Sequence, residues 1–267
     1  MSSERNRWIS KSVSTLVCGV AAFCAVGLVA RKSEVALEGT IAQNAYAISS
    51  EKNGTGAKRN GEILLFTQES NIRLLPDPND PKCKSTASGT CGRTGEKIEP
   101  EIIVNHFTIG AIDQTANDVW SFFAQGSPDK GRRRGLGVQF VVGKEGEVLQ
   151  LAHMYEGKVE KTNGVQNYNS EAISIEAVYP ENTASSKNAL PKAQYDSLVR
   201  LNLNLIKQYD IPLGPSHTWK APSNNRVDVS GVLGHHQLNP ETKTDPGLNF
   251  MKDLREDIRI ALEKKHE

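Results

Sequence analysis

The residues best suited to chemistry lie near the C-terminus, in the stretch GHHQLNPETKTDPG at residues 234–247. Two adjacent histidines, His235 and His236, follow the run VSGVLG, and Asp245 comes ten residues after His235 in a segment stiffened by two prolines. Imidazole and carboxylate groups are zinc ligands, and a hydrolytic zinc site needs three of them with a fourth position open to water. The stretch therefore predicts part of a metal site.

A further ligand is predicted far upstream, at His106, near the end of the strand-like run EIIVNHF (residues 101–107). A side chain at the end of a strand can project over the edge of a sheet, where an open three-ligand site could form with Asp245 and one of the tandem histidines. Consecutive side chains of an extended chain point in opposite directions, so only His235 or His236 should face the metal. A single histidine at the end of a strand is more often a structural residue than a ligand. The hypothesis therefore depends on His106 together with Asp245 and one of the tandem histidines.

Two more residues suit catalysis rather than metal binding. Glu176 is a carboxylate within the otherwise apolar run AISIEAV, and Lys243 precedes Asp245 by two residues, so both would face one side of an extended segment. A carboxylate that takes a proton from water and a cation that stabilises an oxyanion would complete a hydrolytic site. The alternative for Glu176 is a solvent-facing position on a half-exposed strand.

These stretches resemble the motifs of the type 2 zinc-dependent N-acetylmuramoyl-L-alanine amidases, a family that includes peptidoglycan recognition proteins and phage lysozyme-like amidases. The family pattern G-H-x-x-x-x-P-x-x-K-x-D-P-G matches the C-terminal stretch and implies His235 and Asp245 as zinc ligands, with Lys243 beside them. The settings I-V-x-H-x-T and S-I-G-I-E are similar to IIVNHFT and AISIEAV. They imply His106 as the first ligand and Glu176 as the catalytic glutamate.

The resemblance spans residues 97–262 and implies hydrolysis of the amide bond between the lactyl group of N-acetylmuramic acid and L-alanine, with peptidoglycan or muropeptides as substrate. The competing hypothesis is a catalytically silent peptidoglycan-binding module, in which a residue such as serine replaces the third ligand. Asp245 favours the enzyme. The chain departs from the family where VEKTNGV replaces W-H-A-G and where Ser174 replaces the glycine of I-G-I-E.

Strand-like and helix-like segments alternate around these residues. Thr115 with Asp118 resembles a capping box at the start of a helix, and Leu198, Leu201 and Leu205 form one apolar stripe of a second helix. A final helix fits residues 248–264. Short β-branched runs predict strands at GEILLF (61–66), EIIVNHF (101–107), GVQFVV (137–142), EVLQLA (147–152) and AISIEAV (172–178), the third and fourth joined as a hairpin by GKEG.

This alternation predicts an α/β (α+β) domain built on a single mixed β-sheet flanked by helices. The resemblance implies the peptidoglycan recognition protein-like amidase fold. We expect a zinc amidase domain at residues 97–265, preceded by a flexible tether at residues 33–60 and a loop-rich decoration at residues 61–96. A disulfide between Cys83 and Cys91 is expected in that decoration if the protein is exported.

The N-terminus predicts export. Basic residues precede nineteen uncharged residues, Ser12 to Ala30, a run longer than most secretory signals and close to the length of a spanning helix. Residues 1–32 are therefore either a signal sequence, with an A-x-A triplet at residues 45–47, or a retained membrane anchor. We expect a periplasmic or cell-envelope location. The net charge of +1 gives no reason to expect nucleic acid as a partner.

Overall fold

The computed structural model describes residues 57–59, 62–64, 72–77, 79, 92–125, 135–223 and 225–264, all within one unit of the chain, Gly54–Glu267. The predicted signal or anchor at residues 1–32 and the predicted Cys83–Cys91 disulfide lie outside these residues. Among the described residues, no helix has both the length and the apolar composition needed to cross a bilayer.

The described residues form both helices and strands. The helices are α1 (Ala116–Gln125), α2 (Lys192–Tyr209), α3 (His235–Leu238) and α4 (Leu248–Glu263), with a 3-10 turn at Lys187–Ala189. The strands are β1 (Ala57–Arg59), β2 (Glu62–Leu64), β3 (Arg93–Ile98), β4 (Ile102–Phe107), β5 (Phe140–Val142), β6 (Val148–Gln150), β7 (Met154–Tyr155), β8 (Lys158–Thr162), β9 (Ala172–Ala177) and β10 (Gly231–Gly234).

The larger assembly of strands is a mixed sheet in the order β10-β4-β9-β5-β6. The first four strands run parallel, and β6 is antiparallel to β5. The predicted hairpin at GKEG is confirmed, since Gly143 donates from its backbone to Glu147 at 2.8 Å and Val142 pairs with Val148. The fold class predicted from the sequence, a mixed sheet flanked by helices, is confirmed.

A second sheet, in the order β1-β2-β7-β8-β3, corrects the prediction of a single sheet. All its neighbouring strands pair antiparallel. Its strand β2 lies within the predicted strand GEILLF, but β3 and β8, RTGEKI and KVEKT, are polar and lack the apolar pattern that identified the main sheet. Strand β1 lies inside the stretch predicted as a tether, and β3 extends across the boundary predicted between residues 96 and 97.

The main sheet is covered on both faces. Helices α2 and α4 pack on one face, with a core that includes Ile103, Phe107 and Ile175, and α1 packs on the other. Successive residues of a strand point to opposite faces, so Ile103 and Asn105 of β4 face α2 while Val104 and His106 face the opposite side. The site described below is built on that second face.

Local sequence explains the helices that frame the sheet. Thr115 and Asp118 form the predicted capping box: the Thr115 amide donates to the Asp118 carboxylate at 2.9 Å, and the Asp118 amide donates to the Thr115 hydroxyl at 3.2 Å. The predicted apolar stripe of α2, represented by Leu198, Leu201 and Leu205, is buried against the sheet. These helices pack on the main sheet, at whose strand ends the site described below lies.

Candidate metal centre

The candidate site lies at the carboxyl ends of three neighbouring parallel strands of the main sheet, β10, β4 and β9. His106 lies one residue before the end of β4, and its register partner on β9 is Glu176. On the other side of β4, Gly234 at the end of β10 pairs with Asn105, and His235 follows as the first residue of α3. The carboxyl ends of parallel strands meet at the same edge, where α/β proteins commonly bind ligands.

The structure brings His106, His235 and Asp245 together, with one potential ligand atom from each lying within 4.8 Å of the others. The two Nδ1 atoms of the histidines are 2.9 Å apart, and each lies 3.5 Å from Oδ2 of Asp245. In a tetrahedral site with Zn–N bonds of about 2.1 Å, ligand atoms lie roughly 3.4 Å apart. The spacing of these three atoms therefore fits a zinc ion with only small side-chain adjustments.

The electrostatics of the cluster also suit a cation. Burial, reinforced by the neighbouring His106, lowers the pKa of His235 to about 4, so its imidazole is neutral at pH 7 and offers a lone pair. Burial alone would raise the pKa of Asp245, but hydrogen bonding with both histidines holds that pKa well below its usual range. A neutral imidazole and an ionised carboxylate are the ligand forms that zinc requires.

Glu176 lies beside this cluster without belonging to it. Its side chain is partly buried, and within the described part of the chain its Oε2 atom has no hydrogen-bond partner. Burial raises the pKa of Glu176 to about 7; Asp245 adds to this rise, while His106 and Lys243 oppose it. The predicted alternative of a solvent-facing strand residue does not fit a carboxylate with a buried, unpartnered oxygen.

Lys243 is exposed, whereas Asp245 two residues later is buried. The backbone amide of Lys243 donates to the carbonyl of Asn239 at 2.9 Å, which closes a turn directly after α3. The ammonium charge is close enough to lower the pKa values of Glu176 and His235. The structure thus places a solvent-accessible cation at the rim of the cluster.

His236 is buried but is not one of the three clustered residues. The backbone that separates the two tandem histidines is helical, and is not the extended chain that the sequence analysis assumed. His235 and His236 begin the short helix α3, where successive side chains diverge by about 100° rather than alternating by 180°. The ring of His236 turns toward the backbone of Asp245.

Gln237 supports the site in a way that sequence reasoning missed. Its side-chain oxygen accepts a hydrogen bond from the Gly234 amide at 2.9 Å, and its Nε2 donates to the Trp219 carbonyl at 2.9 Å. It therefore fastens the start of α3 to the preceding loop. No sequence pattern signals a contact between a glutamine and a backbone group eighteen residues away.

Residues 96–248, more than half of the chain, match the family model described as N-acetylmuramoyl-L-alanine amidase. Comparison with curated proteins gives no significant match.

Similar solved structures include an endolysin N-acetylmuramoyl-L-alanine amidase, LysCS, from Clostridium intestinale URNW, at 17% identity and a TM-score of 0.42 over 62% of this chain and 85% of that one. They also include the Ph2119 endolysin from the Thermus scotoductus MAT2119 bacteriophage, at 20% identity and a TM-score of 0.42 over 70% and 99% of the two chains.

Proposed function

The chain belongs to the N-acetylmuramoyl-L-alanine amidase family, and on that premise we propose that it is a zinc hydrolase of peptidoglycan or muropeptides. The bond cleaved is the amide between N-acetylmuramic acid and L-alanine. The observation that carries the proposal is the convergence of His106, His235 and Asp245 beside the partly buried carboxylate of Glu176.

His106, His235 and Asp245 would hold zinc through two Nδ1 atoms and one carboxylate oxygen, which leaves a coordination position for substrate or water. Zinc bound there would polarise the scissile carbonyl and lower the pKa of a water molecule. A structural zinc site is closed by four protein ligands, usually including cysteines. Among the described residues, the cluster has three ligands and no cysteine.

Glu176 is proposed as the general base. Its Oε2 would take the proton of the attacking water as oxygen adds to the amide carbonyl carbon, and would then return that proton to the departing nitrogen of L-alanine. A carboxylate whose pKa lies near 7 can perform both transfers, because the proton is held neither too tightly nor too weakly. Its register position next to His106 supports this role.

Lys243 is proposed as the oxyanion stabiliser. When water adds to the carbonyl carbon, negative charge develops on the carbonyl oxygen, and a nearby ammonium group lowers the energy of that state. The exposed side chain can reach a substrate that enters from solvent, and its charge already acts on Glu176.

The proposed substrate implies an extracellular or cell-envelope location, since peptidoglycan lies outside the cytoplasmic membrane. The uncharged N-terminal run is proposed to deliver the protein there, either as a cleaved signal or as a retained membrane anchor. Fractionation of cells that express the full chain, with N-terminal sequencing of the product, would distinguish these alternatives.

The decisive experiment is digestion of purified sacculi by the zinc-loaded protein, with identification of released stem peptides by mass spectrometry. Free stems that begin with L-alanine are expected, together with glycan chains that have lost their peptides. Binding to sacculi without release of stems would instead indicate a silent binding module. Full activity of metal-free protein in a chelator would contradict the zinc mechanism.

A further inference from the structure

We infer that His236 is a positioning residue for the third zinc ligand, because its ring and its backbone both hold the main-chain carbonyl of Asp245. This inference rests on the proposed ligand set. It assigns His236 a function that neither its position beside His235 nor the family motif requires.

The contacts to Asp245 converge on one atom. The backbone amide of His236 donates to the carbonyl oxygen of Asp245 at 2.9 Å, and Nδ1 of the His236 ring lies 3.1 Å from that same oxygen. A carbonyl oxygen can only accept, so the ring carries its proton on Nδ1. Two donors of a single residue thus share this carbonyl oxygen.

The ring of His236 is also fixed by close packing. A Cβ atom placed on Gly234 would lie 2.8 Å from Nδ1 and Cε1 of the ring and 2.9 Å from Cδ of Pro246. Contacts this short are not tolerated, so Gly234 leaves the space that the ring and Pro246 occupy. His236 is only 5% exposed. The ring and Pro246 therefore both pack against Gly234, the residue before the second ligand.

The contacts of His236 bear on the placement of Asp245, the third proposed ligand. His106 and His235 are placed by strands and by the start of a helix, but Asp245 lies in an irregular segment between α3 and α4. Its carboxylate must nevertheless lie 3.5 Å from each Nδ1 atom. Fixing the carbonyl of the same residue restricts the backbone from which that carboxylate projects, as residues around metal ligands commonly do.

The test compares three substitutions at one position. His236→Asn keeps an amide N–H donor two bonds from Cβ, as Nδ1 is, whereas His236→Gln moves the donor one bond further and His236→Leu removes it. Zinc affinity should fall by about 10- to 100-fold in the leucine and glutamine variants, the usual loss when a group that orients a metal ligand is removed. The asparagine variant should remain within a few-fold of the unaltered protein.

A second readout separates positioning from general stability. The visible spectrum of the cobalt-substituted protein reports coordination geometry, so it should change in His236→Leu and His236→Gln and be retained in His236→Asn. Thermal melting in chelator gives the stability of each metal-free variant. If His236→Leu does not fold, the pair of asparagine and glutamine variants still decides the question.

Equal zinc affinity and equal cobalt spectra in all variants would overturn the positioning role, as would an asparagine variant as weak as the leucine and glutamine variants. Either result differs from failure of the proposed function, in which the unaltered protein itself would bind no zinc.

Discussion

Asn105 and His106 are consecutive residues of β4, both buried, and they point to opposite faces of the same sheet. Asn105 forms a reciprocal amide pair with Asn202 of α2, with both hydrogen bonds at 3.1 Å. Nδ1 of His106 instead lies 2.9 Å from Nδ1 of His235, and its Nε2 atom is without a hydrogen-bond partner in the described chain. The Asn105–Asn202 pair, in which the polar groups are hydrogen-bonded, joins β4 to α2. The acceptor atoms that converge at His106 instead indicate a site for a cation.

The same contrast separates Gln139 from Glu176. The amide nitrogen of Gln139 donates to two backbone carbonyls, and its oxygen accepts from the Thr162 hydroxyl and the Ser174 amide. Through these hydrogen bonds the Gln139 side chain links β8 of the second sheet to β9 of the main sheet. Glu176 has a buried oxygen with no described partner, and its pKa is raised accordingly. The unpartnered Oε2 of Glu176 can accept a proton, as the general-base role proposed for this residue requires.

The largest predicted effect is on the metal. His106→Ala or His235→Ala should reduce zinc from about one ion per chain to near zero, because two protein ligands hold zinc far less tightly than three. The metal-free variant should fold but be somewhat less stable than the unaltered apoprotein, because the buried carboxylate of Asp245 loses one of its two imidazole partners. Elemental analysis and thermal melting in chelator measure these outcomes. Retention of one tight zinc ion in either variant would show that the ligand set is wrong.

The next effect is on turnover alone. Glu176→Gln should retain zinc and fold while slowing turnover by about 10²–10⁴, the range for loss of a general base. The measurements are zinc content, melting temperature and the rate of stem-peptide release. Loss of zinc in this variant would identify Glu176 as a ligand or as a structural residue, and the contrast with Gln139 would fail.

A somewhat smaller effect is expected at Lys243. Lys243→Ala should slow turnover by about 10²–10³ with little change in substrate binding, since the charge acts mainly on the oxyanion of the transition state. Lys243→Arg keeps the charge and is the matched control, with partial activity expected. Steady-state kinetics decide between the alternatives: a rise in KM at unchanged kcat would make Lys243 a binding residue instead.

The candidate site was more accessible to sequence reasoning than the fold around it. The resemblance of residues 234–247 to the family pattern selects His235, Lys243 and Asp245, and the apolar runs that contain His106 and Glu176 predict strands that the main sheet includes. The second sheet was not predicted because its strands β3 and β8 are polar and have no apolar periodicity, although β2 lies within a predicted strand. Contacts such as that of His236 with Asp245 depend on the path of the backbone, which residue types alone do not specify.

The smallest predicted effect concerns the satisfied pair, and it tests the comparison from the opposite side. Asn202→Leu leaves both the donor and the acceptor of the Asn105 amide buried without their partner. A buried unsatisfied polar group typically costs about 1–3 kcal/mol, so the free energy of unfolding should fall by that order. Adding Asn105→Leu should recover much of the loss, because replacing both partners with apolar groups of similar size removes the unsatisfied atoms. Zinc content should stay near one ion per chain in both variants, as measured on the folded protein alongside denaturant unfolding. If folded Asn202→Leu lost its zinc, the two faces of β4 would be coupled, and the division between architecture and chemistry along this strand would not hold.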